Sequence, residues 1–306
     1  MNYNLVENIY TDKDINDMIT TLQSDRLTMG NKVKEFETKF SEKFNFNYSV
    51  MVNSGSSANL LAFSVLCNPK RKHYLKKGSR ILVPSVCWST SVYPIIQNGM
   101  IPIFMDVNPE TLNINAEDIN NFENIQGIVL VHILGNSTNM EKIMKIVNEK
   151  NLIVMEDTCE SLSSKFKSTY LGGFGDMGTY SFYYSHHMTT IEGGMITCKT
   201  EEDYQLLLCL RSHGWNRNQT NKKQYEFINN KYCFINFGYN LRPTEIQGAM
   251  GLNQLNDLDQ RNKIRKINYK NITNKLLHHN RNYNIFTVAK KTDGCDVAWF
   301  AIAIFL

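Results

Sequence analysis

Along most of this chain, short apolar runs alternate with stretches whose apolar positions recur every three or four residues. Helical spacing marks residues 14–23 and 33–44, the second through Val33, Phe36, Phe40 and Phe44, with Gly30 between them. Tyr48–Val52 reads as a strand. It breaks at Asn53-Ser54-Gly55-Ser56-Ser57, and a helical pattern follows over residues 58–66. Further strand-like runs cover residues 81–83, 101–107, 128–133, 152–155, 180–184 and 195–198, and helical patterns over 140–149 and 201–213 fall among them. Short apolar strands interleaved with amphipathic helices predict an α/β domain on a mainly parallel sheet covered on both faces.

The pattern changes after residue 251. Residues 252 to about 279 read as one long charged helix, with Leu252, Leu255, Leu258 and Ile264 among its apolar positions. Strand-like stretches follow over 283–288 and 296–306. The spacing therefore predicts a large domain over 1–255, then a linking helix and the start of a smaller domain over 256–306.

Composition narrows the function classes. With 306 residues, 42% of them hydrophobic and 20% charged, the chain can bury a sizeable core and is not of the disordered type. A net charge of +4 is slight for this length. The basic pairs Lys222-Lys223 and Lys290-Lys291 read as solvated loops, so nucleic acid is not an expected partner. The 7 cysteines are scattered and form no C-x-x-C pair, which removes support for a zinc ribbon or a thioredoxin-like site. Their apolar company predicts buried free thiols in a reducing cytoplasm. The first residues lack the apolar core of a secretory signal, and no run approaches the ~20 apolar residues of a membrane span. The longest apolar run, 297–306, reads as a buried strand. Uncovered, its edge would invite association.

Three segments carry candidate chemistry, because ligands of such sheets bind beyond the carboxyl ends of strands. The first, around Ser56 and Ser57, opens a helix after a strand. Helix N–H groups, a glycine and hydroxyls suit a phosphate, although a serine-rich N-cap does the same job structurally. The second, Glu156-Asp157, ends a strand, where a carboxylate can hold a metal, a ribose or a protonated ring nitrogen. The third is Ser181-Phe182-Tyr183-Tyr184-Ser185-His186-His187, followed by Glu192-Gly193-Gly194. Adjacent histidines diverge on an extended chain, and no third ligand lies at metal spacing. Taken alone, these histidines read better as surface or core residues than as a base.

In order and spacing these segments resemble the DegT/DnrJ/EryC1/StrS sugar aminotransferase family. The matching stretches include NSGSSAN at 53–59, ILVPSVCW at 81–88, VMEDTCES at 154–161, GGFGDMGTYSFYYSHHMTTIEGG at 172–194 and FGYNLRPTEIQGAMGLNQL at 237–255. The resemblance implies the α/β fold type I of enzymes that use pyridoxal 5'-phosphate (PLP) or its amine form (PMP), and a homodimer with shared sites. It implies that Asp157 faces the pyridine nitrogen and Trp88 stacks on the ring. Ser56, Ser57 and Ser181 would hold the phosphate, and Glu160 would lie near the ring hydroxyl. Asn240 would reach the phosphate of the neighbouring subunit's cofactor.

One position departs from the aminotransferase pattern. His186 stands where the family carries the lysine that joins the cofactor covalently. Histidine forms no such stable link, but it moves protons near neutral pH. This change resembles the branch of the family that removes the C3 hydroxyl of nucleotide-linked 4-keto-6-deoxyhexoses, with glutamate as amino donor. The stretch Arg211-Ser212-His213-Gly214-Trp215 lacks the Cys-x-Cys of the iron–sulfur sub-branch, so the resemblance implies no such cluster and a GDP-linked 4-keto-6-deoxymannose as substrate. Family chains continue past the segment matching 297–306. That leaves two alternatives: an aminotransferase-like sugar enzyme with another base, or a non-catalytic PLP-binding or dimerising remnant.

Overall fold

The computed structural model describes residues 6–7, 9–219, 229–280 and 285–306. Lys222-Lys223 and the start of the strand expected at residue 283 lie outside the described residues. The helices are α1 (Asp12–Leu22), α2 (Asn31–Phe44), α3 (Gly55–Leu66), α4 (Ser89–Gln97), α5 (Met140–Lys150), α6 (Glu201–Leu210) and α7 (Glu245–Asn280). The main strands are β1 (Tyr48–Val52), β2 (Arg80–Pro84), β3 (Ile101–Met105), β4 (Gly127–Val131) and β5 (Ile153–Asp157). After the short β6 (Lys165–Phe166) and β7 (Thr169–Tyr170) come β8 (Met177–Ser181) and β9 (Gly194–Cys198). Three two-residue strands close the chain: β10 (Thr287–Val288), β11 (Cys295–Asp296) and β12 (Ile304–Phe305). Among the described residues no helix is long and apolar enough to cross a membrane.

The chain forms two compact units of interleaved sequence: Met1–Lys76 with Thr179–Leu255, and Lys77–Gly178 with Asn256–Leu306. In the first, β1 pairs antiparallel with β9 from Tyr48↔Cys198 to Val52↔Gly194. The helical spacing of Val33, Phe36, Phe40 and Phe44 becomes the buried face of α2. Its rings meet Phe182 at 5.4 Å from Phe36 and Tyr180 at 5.2 Å from Phe40. Burial of such aromatic pairs supplies much of a core's stabilisation. Gly30 gives α2 no side-chain cap. Glu245 does that work instead, accepting the N–H groups of Gly30, Lys32 and Val33 at 2.6, 2.7 and 3.1 Å. Helix α3 is apolar on most sides and accordingly buried.

In the second unit β5, β4, β2 and β3 lie side by side in that order, all parallel. Leu82, Ile128, Leu130 and Val154 from the strands pack with Ile143 and Val147 of α5 in one core. Sequence periodicity anticipates α5 and these strands to within a few residues, but not α4, whose Pro94 interrupts the helical signal.

The C-terminal segment corrects the expectation of a buried strand over 297–306. Val297 and Ala298 are buried at 3% and 1% exposure, but Ile304 is 46% exposed and Leu306 fully exposed. The ladder stops after Cys295↔Phe166 and Asp296↔Lys165. Beyond it, Ala298 N–H donates to Ser164 Oγ at 2.9 Å and Phe300 N–H to Leu134 O at 3.1 Å. Trp299 stacks on Tyr269 of α7 at 3.7 Å. At Gly135, with φ 93°, a Cβ would lie 2.2 Å from Ala298 O, so the segment seats directly on backbone there. The long helix is also earlier than its charge pattern suggests, starting at Glu245, and Ile264 is 50% exposed rather than on a covered face.

Candidate active site

In the first unit, the turn between β1 and α3 is shaped by Ser54. As N-cap, its Oγ accepts the Ser57 N–H at 3.0 Å. Ser56 is exposed and Ser57 half-buried at the helix start. Ser181, at the end of β8, comes so close that a Cβ at position 55 would lie 2.5 Å from Ser181 Cβ. Only glycine permits that approach. The structure thus gathers Ser56, Ser57 and Ser181 around one helix N-terminus, although 124 residues separate Ser57 from Ser181 in sequence, counted as 181 minus 57.

His186 and His187 part company in the turn that follows. His186 is half-buried, its N–H donates to Tyr183 O at 3.1 Å, and its ring meets the Tyr183 ring edge-on at 5.8 Å. His187 is buried at 1% exposure. Asn240 is exposed and forms an isolated antiparallel bridge with Ser212.

A feature that sequence reading missed lies in the same unit. A hollow of about 550 Å³ is lined by Arg26, Arg217 and Arg242, with His213, Thr28 and Asp25. The Arg217 guanidinium carbon lies over the Trp215 ring, 5.1 Å from its centre, a cation–π contact. The arginines stand 216 residues apart at their extremes, 242 minus 26, so no local signal announces them.

In the second unit, Glu156 and Asp157 end β5, and the alternation of a strand sends them to opposite faces. Glu156 is fully buried. Its Oε1 accepts the N–H groups of Phe174 and Gly175, each at 2.7 Å, and its Oε2 accepts Gly172 N–H at 2.8 Å and His132 Nε2–H at 3.0 Å. Burial pushes its pKa up, but these donors outweigh burial and hold it below the usual carboxylate value. Glu156 is therefore the pin of the 172–175 loop rather than a ligand.

Asp157 is 5% exposed. Its Oδ2 accepts the Ser91 hydroxyl at 2.7 Å and its Oδ1 accepts Cys159 N–H at 3.2 Å. Burial, with the Asp157 charge adding to it, pushes the Cys87 thiol up to about 11. Glu160 accepts Leu134 N–H at 2.8 Å, and burial raises its pKa. Trp88, the N-cap residue of α4, leaves 71% of its surface open, an unusual exposure for so large an apolar ring.

These elements define a class, the α/β proteins of the PLP-dependent aminotransferase fold. A structure of Escherichia coli GDP-4-keto-6-deoxy-D-mannose-3-dehydratase with bound hydrated PLP matches 99% of this chain and 78% of its own, with a TM-score of 0.91 and 37% identity. A mutant GDP-4-keto-6-deoxymannose-3-dehydratase with bound GDP-perosamine matches with a TM-score of 0.92 and 37% identity, over 99% of this chain and 79% of its own. In sequence, the chain is 39% identical over 287 residues to GDP-4-keto-6-deoxy-D-mannose 3-dehydratase of Escherichia coli O55:H7, covering 91% of this chain and 74% of that protein. Residues 8–306 match the DegT/DnrJ/EryC1/StrS aminotransferase family, and the chain belongs to it.

The residues present fit the cofactor. A helix N-terminus whose glycine admits Ser181 has the chemistry of a phosphate cradle. A buried carboxylate held by two donors has the chemistry to face a protonated ring nitrogen.

Proposed function

We propose that this protein is a PLP/PMP-dependent 3-dehydratase that deoxygenates C3 of a nucleotide-linked 4-keto-6-deoxyhexose, GDP-4-keto-6-deoxymannose being the favoured substrate. The observation that carries the reading is His186, half-buried in the turn after β8 at the position where family members hold the cofactor by a lysine. The names of relatives support it, since proteins 39%, 37% and 32% identical to this chain are 3-dehydratases.

The net reaction balances without another reagent. The keto sugar loses the C3 oxygen and gains hydrogen there, while glutamate is oxidised to 2-oxoglutarate and releases ammonia. The bound cofactor supplies an amine and an electron-withdrawing ring. Ser56, Ser57 and Ser181 hold its phosphate, Trp88 covers the ring, and Glu160 lies near the ring hydroxyl. Asp157 keeps the ring nitrogen protonated, because an opposite charge favours the charged form. His186 would serve as the base that moves a proton at C4' and as the acid for the departing C3 hydroxyl. The arginine-lined hollow suits the diphosphate of the substrate, since guanidinium forks match phosphate oxygens. The assembly is a homodimer in the cytoplasm, with Asn240 reaching the phosphate in the neighbouring subunit's site.

The test is incubation with PLP, glutamate and a panel of nucleotide-linked 4-keto-6-deoxyhexoses. Loss of one hydroxyl with release of ammonia and 2-oxoglutarate is the expected result. An amino sugar product would mark an aminotransferase instead, and no turnover of any sugar would mark a remnant. Borohydride treatment of the loaded protein should yield no pyridoxyl-lysine peptide. Inactive His186 and Asn240 variants should partly complement one another when mixed.

A further inference from the structure

Ser91 is fully buried in the first turn of α4, and its hydroxyl donates to Asp157 Oδ2 at 2.7 Å. A serine in that position ordinarily bonds its own helix backbone. This one reaches a residue 66 positions away, on the end of β5. Its backbone N–H is meanwhile turned back to Trp88 O at 2.9 Å, so the hydroxyl is placed by the start of the helix itself. The bond has the length of a charge-assisted O–H···O⁻ contact. With Cys159 N–H on Oδ1, it leaves the carboxylate one orientation.

We propose that Ser91 is a positioning residue for the reaction. Its hydroxyl keeps the Asp157 carboxylate oriented, so that the carboxylate would meet the protonated ring nitrogen of the cofactor in one fixed direction. The inference rests on the cofactor reading above. Without this donor the carboxylate loses its fixed direction toward the ring nitrogen, so the ring would hold its proton less firmly and withdraw electrons less well.

The test loads the full chain with PLP labelled with nitrogen-15 in the ring and reads the ring-nitrogen resonance. The wild type should show a protonated ring. Ser91→Ala should move the resonance toward neutral pyridine and lower kcat roughly tenfold, the size of one hydrogen bond to a charged group, with KM for the nucleotide sugar within about twofold. Ser91→Thr, which restores a hydroxyl, should return both to wild type. A role confined to packing would lower thermal stability and leave the resonance in place. An unchanged resonance in Ser91→Ala would therefore overturn the assignment while leaving the cofactor reading intact. Wild-type protein that takes up no labelled PLP would overturn both. Should Ser91→Ala fail to fold, Ser91→Cys keeps the shape with a weaker donor and should give an intermediate resonance. A wild-type resonance there would count against the proposal.

Discussion

The end of β5 and the turn after β8 both carry candidate chemistry, and they are built in opposite ways. At β5 the structure gives every carboxylate oxygen of Glu156 and Asp157 a donor, and both residues are nearly or wholly buried. In the turn, His186 is half-buried between exposed tyrosines and a buried His187. A carboxylate fixed on all sides stays in one place and direction, which suits an electrostatic partner. A half-open imidazole on a turn can titrate and reorient, which suits a base. The difference is in keeping with the proposed reading, in which the strand end holds charge and the turn moves protons.

The largest expected effect tests the turn. His186→Asn should cost ~10²–10⁴-fold in turnover while the folded protein still binds PLP. His187→Asn should lose stability instead, by about 1–2 kcal/mol, with much less effect on turnover, because its ring is buried. Steady-state kinetics and thermal melts of the pair decide it. Equal loss of turnover in both would erase the distinction.

At the strand end the neighbouring carboxylates should separate the same way. Glu156→Gln should destabilise the fold by about 3 kcal/mol, since it disturbs a buried, multiply bonded charge, and urea unfolding measures it. Asp157→Asn should cost less stability than Glu156→Gln, about 1 kcal/mol, since two donors rather than four face it, and reduce turnover by ~10²-fold, the scale of one lost electrostatic contact at a reacting centre. Full turnover in Asp157→Asn would remove its electronic role.

The smallest effect is in pH. The folded-state pKa of Glu156 lies below its unfolded value. Its contribution to stability is therefore complete above the ordinary carboxylate range and is lost as pH falls through the depressed folded value. Urea midpoints followed from neutrality into acid should fall in the wild type and fall less steeply in Glu156→Gln. Parallel curves would show that Glu156 is not the linked group.

Much of this was legible in the chain. Val33, Phe36, Phe40 and Phe44 announce α2 because helical periodicity is a property of neighbouring residues, and the same holds for β1 and for the Asn53–Ser57 break before α3. The motif order put Ser56, Ser57, Asp157, Ser181 and His186 forward as candidates, and the family it pointed to is the one the chain belongs to. A strand over 297–306 was expected from composition alone. Apolar residues make a strand only where another backbone offers a ladder: Ile304 and Phe305 find one against Thr287 and Val288, whereas the N–H groups of Ala298 and Phe300 go to Ser164 and Leu134.

What tertiary structure alone decided are relations between distant residues. Glu156 and Asp157 are adjacent letters, yet one pins a loop through His132 and three backbone donors while the other takes Ser91. Arg26, Arg217 and Arg242 meet around one hollow with no shared motif. Local pattern settles which elements form, because helix and strand periods are written in consecutive side chains. Hydrogen-bond partners and charge clusters depend on which distant segments the packed core brings together, and that is set only when the chain closes on itself.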